Sequence, residues 1–282
     1  MISGYFFIIC AAVAWGLIGI FSALAFLQGI SPMEVAFWRA ILTWSCFGTQ
    51  AVVQHQAHIE KKDIPLLIVF SLLGISLFYV SYQFAVKTSG AAFASVLLYT
   101  APAWVIVFSF FIYKERITLL KTISVCLVIL GVFFISQSSG NAEHKSFGLF
   151  ASLAGLISGV CYSLYYTIGK YFSKKYTSAT LFCWMLPIGA LGILPFVEFA
   201  QKTKVAWLAL ILVSFFSTYI ANICYYRGLR TLEAGKASLV ATLEPVVASI
   251  MAYIFFGEYF SISGYMGAGL ILTAVLLTIY KN

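Results

Sequence analysis

Long apolar segments separated by short polar loops run through nearly the whole chain. Ten such segments can be counted, at residues 4–26, 33–54, 65–86, 91–113, 119–137, 147–169, 178–199, 206–227, 237–256 and 262–280. An α-helix needs about 20 mostly apolar residues to cross the hydrocarbon core of a bilayer. Backbone polar groups in lipid must pair within their own segment, so the pattern predicts an all-α integral membrane protein with ten transmembrane helices.

The pattern repeats at an offset of 143 positions, so that residue 94 corresponds to residue 237. Residues 94–118 align with residues 237–261 without a gap. The alignment pairs Pro102 with Pro245 and Glu115 with Glu258. We therefore predict three parts, which are a first five-helix repeat at residues 1–137, a linker loop at 138–146 and a second five-helix repeat at 147–282.

Basic residues are concentrated in alternate loops. One set of loops holds twelve of them, namely Lys61, Lys62, Lys114, Arg116, Lys121, Lys170, Lys174, Lys175, Arg227, Arg230, Lys236 and Lys281. The other set holds four, namely Lys87, Lys145, Lys202 and Lys204. By the positive-inside rule both termini face the cytoplasm, in the cytoplasmic (inner) membrane. Because five spans per repeat is an odd number, the second repeat is expected to be inverted relative to the first, as in many secondary transporters.

Composition excludes a soluble globular protein. The chain is 62% hydrophobic and 9% charged, whereas soluble domains carry about 25% charged residues. The net charge of +8 follows from the loop residues that set topology, so we expect contact with the lipid bilayer and no nucleic-acid partner. The six cysteines lie inside apolar segments without a CxxC spacing, and we expect no metal site and no cofactor.

Several motifs carry a family resemblance. They are TSGAAFAS, AP and KE within residues 88–115, TLEAGKAS, LEP and GE within residues 231–258, AWG at 14–16 and FWRA at 37–40. This pattern resembles the drug/metabolite transporter superfamily, and in particular its EamA-type branch of ten-span proteins with two tandem repeats. The resemblance covers essentially the whole chain. It implies that spans 1–4 and 6–9 surround a central cavity, with spans 5 and 10 outside.

The resemblance leaves the substrate open, because relatives are associated with export or uptake of amino acids, nucleosides, sugars and other metabolites. Two departures from the repeat are visible. The sixth span has Ser158 and Gly159 where the first has Trp15 and Gly16. The seventh span has no arginine at the position that corresponds to Arg39.

Two prolines lie near the middle of their spans, Pro102 in the fourth and Pro245 in the ninth. Each removes a helical hydrogen bond to the carbonyl four residues earlier, at Leu98 or Ala241. A kink with a freed carbonyl is useful where a helix lines a cavity or bends. We predict a gating role for both prolines; the alternative is a static packing kink.

Polar and aromatic side chains within the spans are candidates for substrate binding, since polar groups need partners inside lipid. The predicted residues are Trp15, Arg39, Tyr79, Tyr82, Tyr99, Trp104, Tyr162, Asn222, Ser238, Thr242 and Glu244. The alternative for each hydroxyl is packing against the next helix. The alternative for each aromatic ring is an anchor at the membrane interface.

A structural role is predicted for small and acidic residues outside this set. Gly16 and Gly159 belong to small-residue patterns that allow helices to approach closely. Glu115 and Glu258 end their helices, where we expect contact with basic loop residues or backbone donors and a structural or gating role. Glu34 is expected to be solvated at the outer mouth.

Arg39 and Glu244 are the charges left inside the spans. At 1.5 Å per residue, Arg39 lies roughly 9 Å below the outer boundary and Glu244 roughly 10 Å above the inner one. In a core about 30 Å thick this leaves about 10 Å of depth between them, so we predict that they flank the cavity from opposite ends. Such an arrangement suits a zwitterion, with an anionic group at Arg39 and a cationic group or a proton at Glu244.

The sequence therefore predicts a secondary transporter that moves a small metabolite, an amino acid or a similar polar solute, by alternating access, with protons as a candidate coupling ion. The alternative is a membrane enzyme acting on a lipid or isoprenoid substrate. Such enzymes usually need clustered Asp, His or paired carboxylates. Here Asp63 is the only Asp and no His lies within a span, so we expect no enzymatic activity.

Overall fold

The computed structural model describes residues 2–138, 149–256 and 261–280. No β-strand occurs in these ranges, which confirms an all-α protein. The α-helices are, in chain order, α1 Ile2–Gly16, α2 Ile18–Phe26, α3 Pro32–Val53, α4 Ile64–Ser71, α5 Phe78–Ser89, α6 Ala91–Leu98, α7 Ala101–Tyr113, α8 Leu119–Ser138, α9 Leu149–Lys175, α10 Ser178–Ile193, α11 Lys204–Ser214, α12 Ala221–Thr231, α13 Ala234–Ala241, α14 Leu243–Phe256 and α15 Ile262–Tyr280. All of the predicted linker except Ser138 lies outside the described residues.

Within the described ranges, nine helical stretches are long and apolar enough to cross a membrane. They are Ser3–Phe26, Lys61–Ser89, Phe93–Tyr113, Leu119–Gln137, Leu149–Lys175, Ser178–Phe196, Lys204–Thr231, Ala234–Phe255 and Ile262–Tyr280. Large apolar side chains cover much of their outer surface, which is typical of an integral membrane protein. The other predicted span, 33–54, corresponds to α3, whose 22 residues include Glu34 and Arg39, so the count of ten spans stays a prediction.

The two halves of the described chain carry the same backbone irregularities at the same offset. A π-helical segment at Leu72–Leu77 separates α4 from α5, and a second one at Phe215–Ile220 separates α11 from α12. The helix is also interrupted after Leu98 and again after Ala241. A π-helical turn holds one residue more than an α-helical turn and is frequently found at functional sites. The duplication therefore extends from the sequence to the local backbone geometry.

Helices from one half pack reciprocally against helices from the other. In the first half, α1 packs against α12, α13 and α14 of the second half. In the second half, α9 packs against α5, α6 and α7 of the first half. Two further pairs across the halves, α3 with α10 and α8 with α15, complete the bundle. The space between the halves is consequently enclosed by helices of both.

A buried polar cluster joins the start of α3 to the loop before α11. The Glu34 side chain is fully buried and forms an ion pair with Lys202 Nζ. Its carboxylate also accepts hydrogen bonds from Trp38 Nε1 at 3.2 Å and from the Ala200 backbone N–H at 3.0 Å. The expectation that Glu34 is solvated is wrong, because the loop before α11 folds back over the start of α3 and supplies two donors, and Trp38 of α3 supplies the third.

A second buried cluster joins the loop after α3 to the end of α9 and the start of α10. Asp63, only 3% exposed, accepts hydrogen bonds from the Tyr176 hydroxyl at 2.7 Å, the Tyr171 hydroxyl at 3.1 Å and Lys175 Nζ at 3.0 Å. Thr180 Oγ1 in α10 also donates to the Gln56 carbonyl at 2.6 Å. Polar contacts therefore link α3, or the loop that follows it, to α10, or the loop that follows it, at both ends of this packed helix pair.

Candidate functional site

A cavity of about 560 Å³ lies between the two halves of the chain. At one end it reaches the exposed residues Phe26 and Pro32, where α2 ends and α3 begins. Eight of the eleven residues predicted to bind substrate line it, namely Trp15, Arg39, Tyr79, Tyr82, Tyr99, Tyr162, Asn222 and Glu244. Residues far apart in sequence thus meet in one chamber.

The cationic side of the cavity is built from α3 and the second π-helical segment. Arg39 Nε donates to Thr218 Oγ1 at 3.2 Å. The Thr218 hydroxyl donates in turn to the Val213 carbonyl, five residues earlier, at 3.0 Å, which is the spacing of a π-helical turn. The Arg39 guanidinium also lies 5.7 Å from the centre of the Tyr79 ring, within cation–π range. These contacts orient the guanidinium along the cavity wall.

The anionic side of the cavity is built where the ninth predicted span is interrupted. Glu244 lies in the first turn of α14, immediately after the break that follows Ala241. Its carboxylate accepts a hydrogen bond from the Tyr162 hydroxyl at 3.4 Å, and Tyr162 in turn accepts one from the Tyr166 hydroxyl at 3.1 Å. A helix start favours a negative charge because its first N–H groups have no partner within the helix.

Arg39 and Glu244 line the same cavity with separate partners. Thr218 accepts from Arg39, whereas Glu244 accepts from Tyr162. No ion pair between these two charges is found among the described residues. The two charges therefore line the cavity without neutralising each other through an ion pair.

Tyrosines dominate the end of the cavity opposite Phe26 and Pro32. The Tyr165 hydroxyl donates to Asn222 Oδ1 at 2.6 Å, and the Tyr225 hydroxyl donates to the Tyr165 carbonyl at 3.0 Å. Ring contacts join Tyr225 to Trp15 at 5.3 Å and to Tyr165 at 5.3 Å between ring centres. These contacts form a tyrosine layer, and among the described residues of α9 none beyond Tyr165 lines the cavity.

The sequence profile of the EamA-like transporter family matches residues 2–137 and 149–280. The chain belongs to this family. Together with the apolar helices, membership of the EamA-like family makes it a multi-pass membrane transporter.

The sequences of individual relatives align with this chain over most of their length. "Uncharacterized transporter" from Archaeoglobus fulgidus is 26% identical, and the alignment covers 95% of each chain. "Uncharacterized transporter YetK" from Bacillus subtilis is 23% identical over 79% of this chain and 70% of its own. "Uncharacterized inner membrane transporter YicL" from Salmonella typhimurium is 23% identical over 77% of this chain and 74% of its own. A crystal structure with 16% identity and a TM-score of 0.83 over 98% of each chain has the same fold.

Three residues predicted to bind substrate lie outside the cavity of this EamA-like transporter. Ser238, 1% exposed, donates to the Gly235 carbonyl at 2.9 Å, and Thr242, 2% exposed, donates to the Leu239 carbonyl. Trp104 lies beside Phe108, and among the described side chains its buried Nε1 has no hydrogen-bond partner. A direct contact of these three with a solute in the cavity is not supported by their positions. For the two hydroxyls, the carbonyl one turn earlier competes with any solute as a partner.

Both prolines begin the helix that follows the interruption of a span. Pro102 lies in the first turn of α7 after the break at Tyr99 and Thr100. Pro245 lies in the first turn of α14 after the break at Thr242. The predicted interruption of the helices is thus present next to the cavity, and the gating role of the prolines stays a prediction.

The two glycines lie at close helix crossings. A Cβ added to Gly16 would lie 2.7 Å from Val247 Cβ of α14, and one added to Gly159 would lie 2.7 Å from the Leu97 carbonyl oxygen of α6. Each close approach joins one half of the chain to the other. Substitution at either site would push apart helices that enclose the cavity.

Glu115 joins the end of α7 to the start of α13. Its carboxylate accepts from the backbone N–H groups of Ala234 at 3.0 Å and Gly235 at 3.4 Å, and it lies 3.8 Å from Lys121 Nζ. Lys121 also forms an ion pair with Glu233 at 2.8 Å. Burial alone would raise the pKa of Glu233. The hydrogen bond from Lys121 and the positive charge of Lys121 outweigh this effect and hold the pKa of Glu233 below its usual value. Glu258, the counterpart of Glu115, lies outside the described residues.

Several polar residues of the cavity are absent from the predicted binding set, among them Tyr165 and Thr218. Thr218 corresponds in the repeat to an apolar residue, Ile75, so the duplication did not mark it. The extra residue of the π-helical turn also changes which side chains share a helix face. The available signal was a threonine within an apolar span, which requires an internal partner.

Proposed function

We propose that this EamA-like transporter moves a small zwitterionic metabolite, an amino acid or a similar polar solute, across the cytoplasmic membrane by alternating access. The observation that carries the proposal is a single cavity that presents Arg39 and Glu244 with no ion pair between them among the described residues. A carboxylate would bind at Arg39 and an ammonium group at Glu244. Opposite charges held apart in one chamber are complementary to a molecule that carries both.

Cavity size and lining support a small solute. A volume of about 560 Å³ lies within the range of roughly 300–1,000 Å³ that is typical of small-molecule sites. Nine of the 27 described lining residues are aromatic, and a few polar groups, among them Asn222 and Tyr82, can supply hydrogen bonds. This combination suits a metabolite with an apolar side chain between or beside its charged groups.

The relation between the two halves supports alternating access. Equivalent π-helical segments and equivalent helix breaks border the cavity in both halves. If each half crosses the membrane five times, the halves are inverted, and rocking one against the other exposes a fixed site to each side in turn. The tyrosine layer is then the closed gate of the state described here. Family membership favours this reading over a membrane enzyme.

We place the protein in the cytoplasmic membrane with both termini in the cytoplasm. Support comes from the uneven distribution of Lys and Arg between alternate loops. The printed name of the Salmonella relative also specifies an inner membrane transporter. On this topology, the mouth beside Phe26 and Pro32 faces the outside.

Cysteine labelling at positions 58 and 203 tests this topology. His58 and Thr203 are exposed in loops that the charge distribution assigns to opposite sides. In a background with the six native cysteines replaced, an impermeant thiol reagent added outside intact cells is expected to modify Thr203→Cys and not His58→Cys. Modification of both residues from the same side would contradict the inverted ten-span arrangement.

Transport by charge-neutral variants tests the substrate site. Arg39→Gln and Glu244→Gln each remove a charged hydrogen-bonding group worth about 1.5–3 kcal/mol, so amino-acid flux is expected to fall roughly 10–100-fold. Flux of a labelled amino-acid panel into reconstituted liposomes measures this. Matched controls are Arg227→Gln and Glu198→Gln, since both parent side chains are exposed outside the cavity.

Two outcomes would contradict this assignment. Near-normal flux in both single variants would remove the two charges from the substrate site. Inactive single variants together with an active double variant would show that Arg39 and Glu244 pair with each other during transport instead of binding a zwitterion.

A further inference from the structure

Glu244 is placed where it can hold a proton as well as an organic cation. We propose that Glu244 is a proton-binding site, and that a proton and the cationic group of the solute occupy its carboxyl group in turn. The solute part of this inference rests on the proposed function. The proton part rests on the cavity alone.

The surroundings of Glu244 supply hydrogen-bond partners but no counter-ion in direct contact. The Tyr162 hydroxyl is hydrogen-bonded to its carboxyl group at 3.4 Å, and Tyr99 lines the same cavity. Tyr166 donates to the Tyr162 hydroxyl, so Tyr162 is held in position. Hydroxyl groups can donate to a carboxylate or accept from a carboxylic acid, and they therefore serve both forms of Glu244.

Opposing effects stabilise the ionised and the neutral form of the Glu244 carboxyl group. The start of α14, the Tyr162 donor and the positive charge of Arg39 in the same cavity stabilise the ionised form. Removal from bulk water by aromatic walls favours the neutral form. Neither form has the fixed ion pair that Glu34 has with Lys202, so the carboxyl group can change its charge without breaking a salt bridge.

Among the described lining residues, no other carboxyl group competes for the proton. Apart from Arg39 of α3, the titratable side chains that line it are tyrosines, at Tyr79 and Tyr82 of α5, Tyr99 after α6, and Tyr162 and Tyr165 of α9. Among the helices packed against α14, α1 and α2 contribute no titratable side chain to the lining, and α15 contributes no described lining residue at all. Glu244 is thus the only carboxyl group among the described lining residues.

Exchange at this site conserves charge. In the empty cavity the carboxyl group holds one proton. When an ammonium group arrives, the carboxyl O–H bond breaks, the proton leaves through the open mouth to water, and the carboxylate accepts an N–H hydrogen bond from the ammonium. One positive charge replaces another, so the protein never carries an uncompensated carboxylate in its interior, which would be costly. Solute moving one way is then coupled to a proton moving the other way.

Infrared difference spectroscopy between acidic and alkaline pH tests the proton site with the proton itself as the probe. The wild type and Glu198→Gln are expected to show a carboxylic-acid C=O band that disappears at alkaline pH. The same band should be missing from Glu244→Gln and retained, at a changed position, in Glu244→Asp. A spectrum of Glu244→Gln that is identical to that of the wild type would overturn the proton site.

Proton release tests the alternate occupation of the carboxyl group. Adding a mixture of common amino acids to the wild type in weak buffer is expected to release protons, and N-acetylated amino acids, which lack the ammonium group, should release none. Glu244→Gln should release none with either probe. Equal release by the wild type and Glu244→Gln would overturn the exchange.

The two proposals can fail separately. Amino-acid flux in wild-type liposomes, combined with no titrating band from Glu244, would overturn the proton site and leave the proposed function standing. A titrating Glu244 band in a protein that moves no amino acid would support the proton site and contradict the proposed function.

Discussion

Glu34→Gln is expected to lower the free energy of unfolding by about 3 kcal/mol, the low end of the loss on removing one partner of a buried ion pair. The substitution keeps the size of the side chain and removes its charge. Lys202, whose side chain is 11% exposed, would remain buried without its counter-ion. The N–H donors of Trp38 and Ala200 would also lose a charged acceptor. The start of α3 should then separate from the loop before α11.

Chemical unfolding in bicelles, compared with wild type, measures this loss. The matched control is Glu60→Gln, because Glu60 pairs with Lys62 while both side chains are at least half exposed. Exposed pairs contribute little to stability, so no measurable change is expected for the control. Equal stability of Glu34→Gln and wild type would show that solvent reaches the Glu34 cluster.

Gly267→Ala is expected to destabilise the fold by about 1–3 kcal/mol through overpacking. An added Cβ at Gly267 would meet the Gly131 carbonyl oxygen and lie 2.8 Å from the Ile135 backbone nitrogen. The approach is mutual, since a Cβ at Gly131 would lie 2.7 Å from the Gly267 carbonyl oxygen. The obstacles are backbone atoms of α8, so the two helices themselves must separate. Small residues allow this close packing, on which helix association in lipid depends.

Gly269→Ala is the matched control on the same helix. A Cβ added there has no atom within 4 Å among the described residues. Because alanine also has a higher helix propensity than glycine, this control is expected to be neutral or slightly stabilising. Thermal unfolding of the two variants side by side distinguishes the effect of overpacking from the effect of the higher helix propensity of alanine. An equal effect of both substitutions would mean that α8 and α15 are not in backbone contact.

Much of the cavity could be predicted from the sequence because a membrane interior penalises unpaired polar groups. Arg39, Glu244 and Asn222 each stand within an apolar segment, and such residues turn inward toward partners or a cavity. The structure places all three in one chamber. An inward orientation does not specify, however, whether a side chain lines a cavity or packs within the helix bundle. Ser238 and Thr242 also turn inward, and their hydroxyls bond to carbonyls of their own helix.

The hydrophobic pattern of the sequence does not predict that the loop after α10 folds back over the start of α3. Glu34 stands at the start of a span, where a carboxylate is ordinarily solvated, and the sequence carries no local sign of Lys202 beside it. The two residues are 168 positions apart, and they meet because the loop after α10 crosses over the start of α3. An interaction of this kind depends on how helices of the two halves are arranged and not on the composition of either.

By itself, the sequence determined the helical class, the apolar helices and the duplication, because the bilayer requires long apolar helices and the 143-residue offset is written in residue identities. Tertiary structure alone decided which inward-facing groups meet. It brought Thr218 to Arg39 through a π-helical turn, Tyr162 to Glu244 within the second half, and Lys202 to Glu34 across the two halves. The physical reason is that periodicity specifies the direction of a side chain around its own helix, whereas its partner depends on the crossing and register of neighbouring helices.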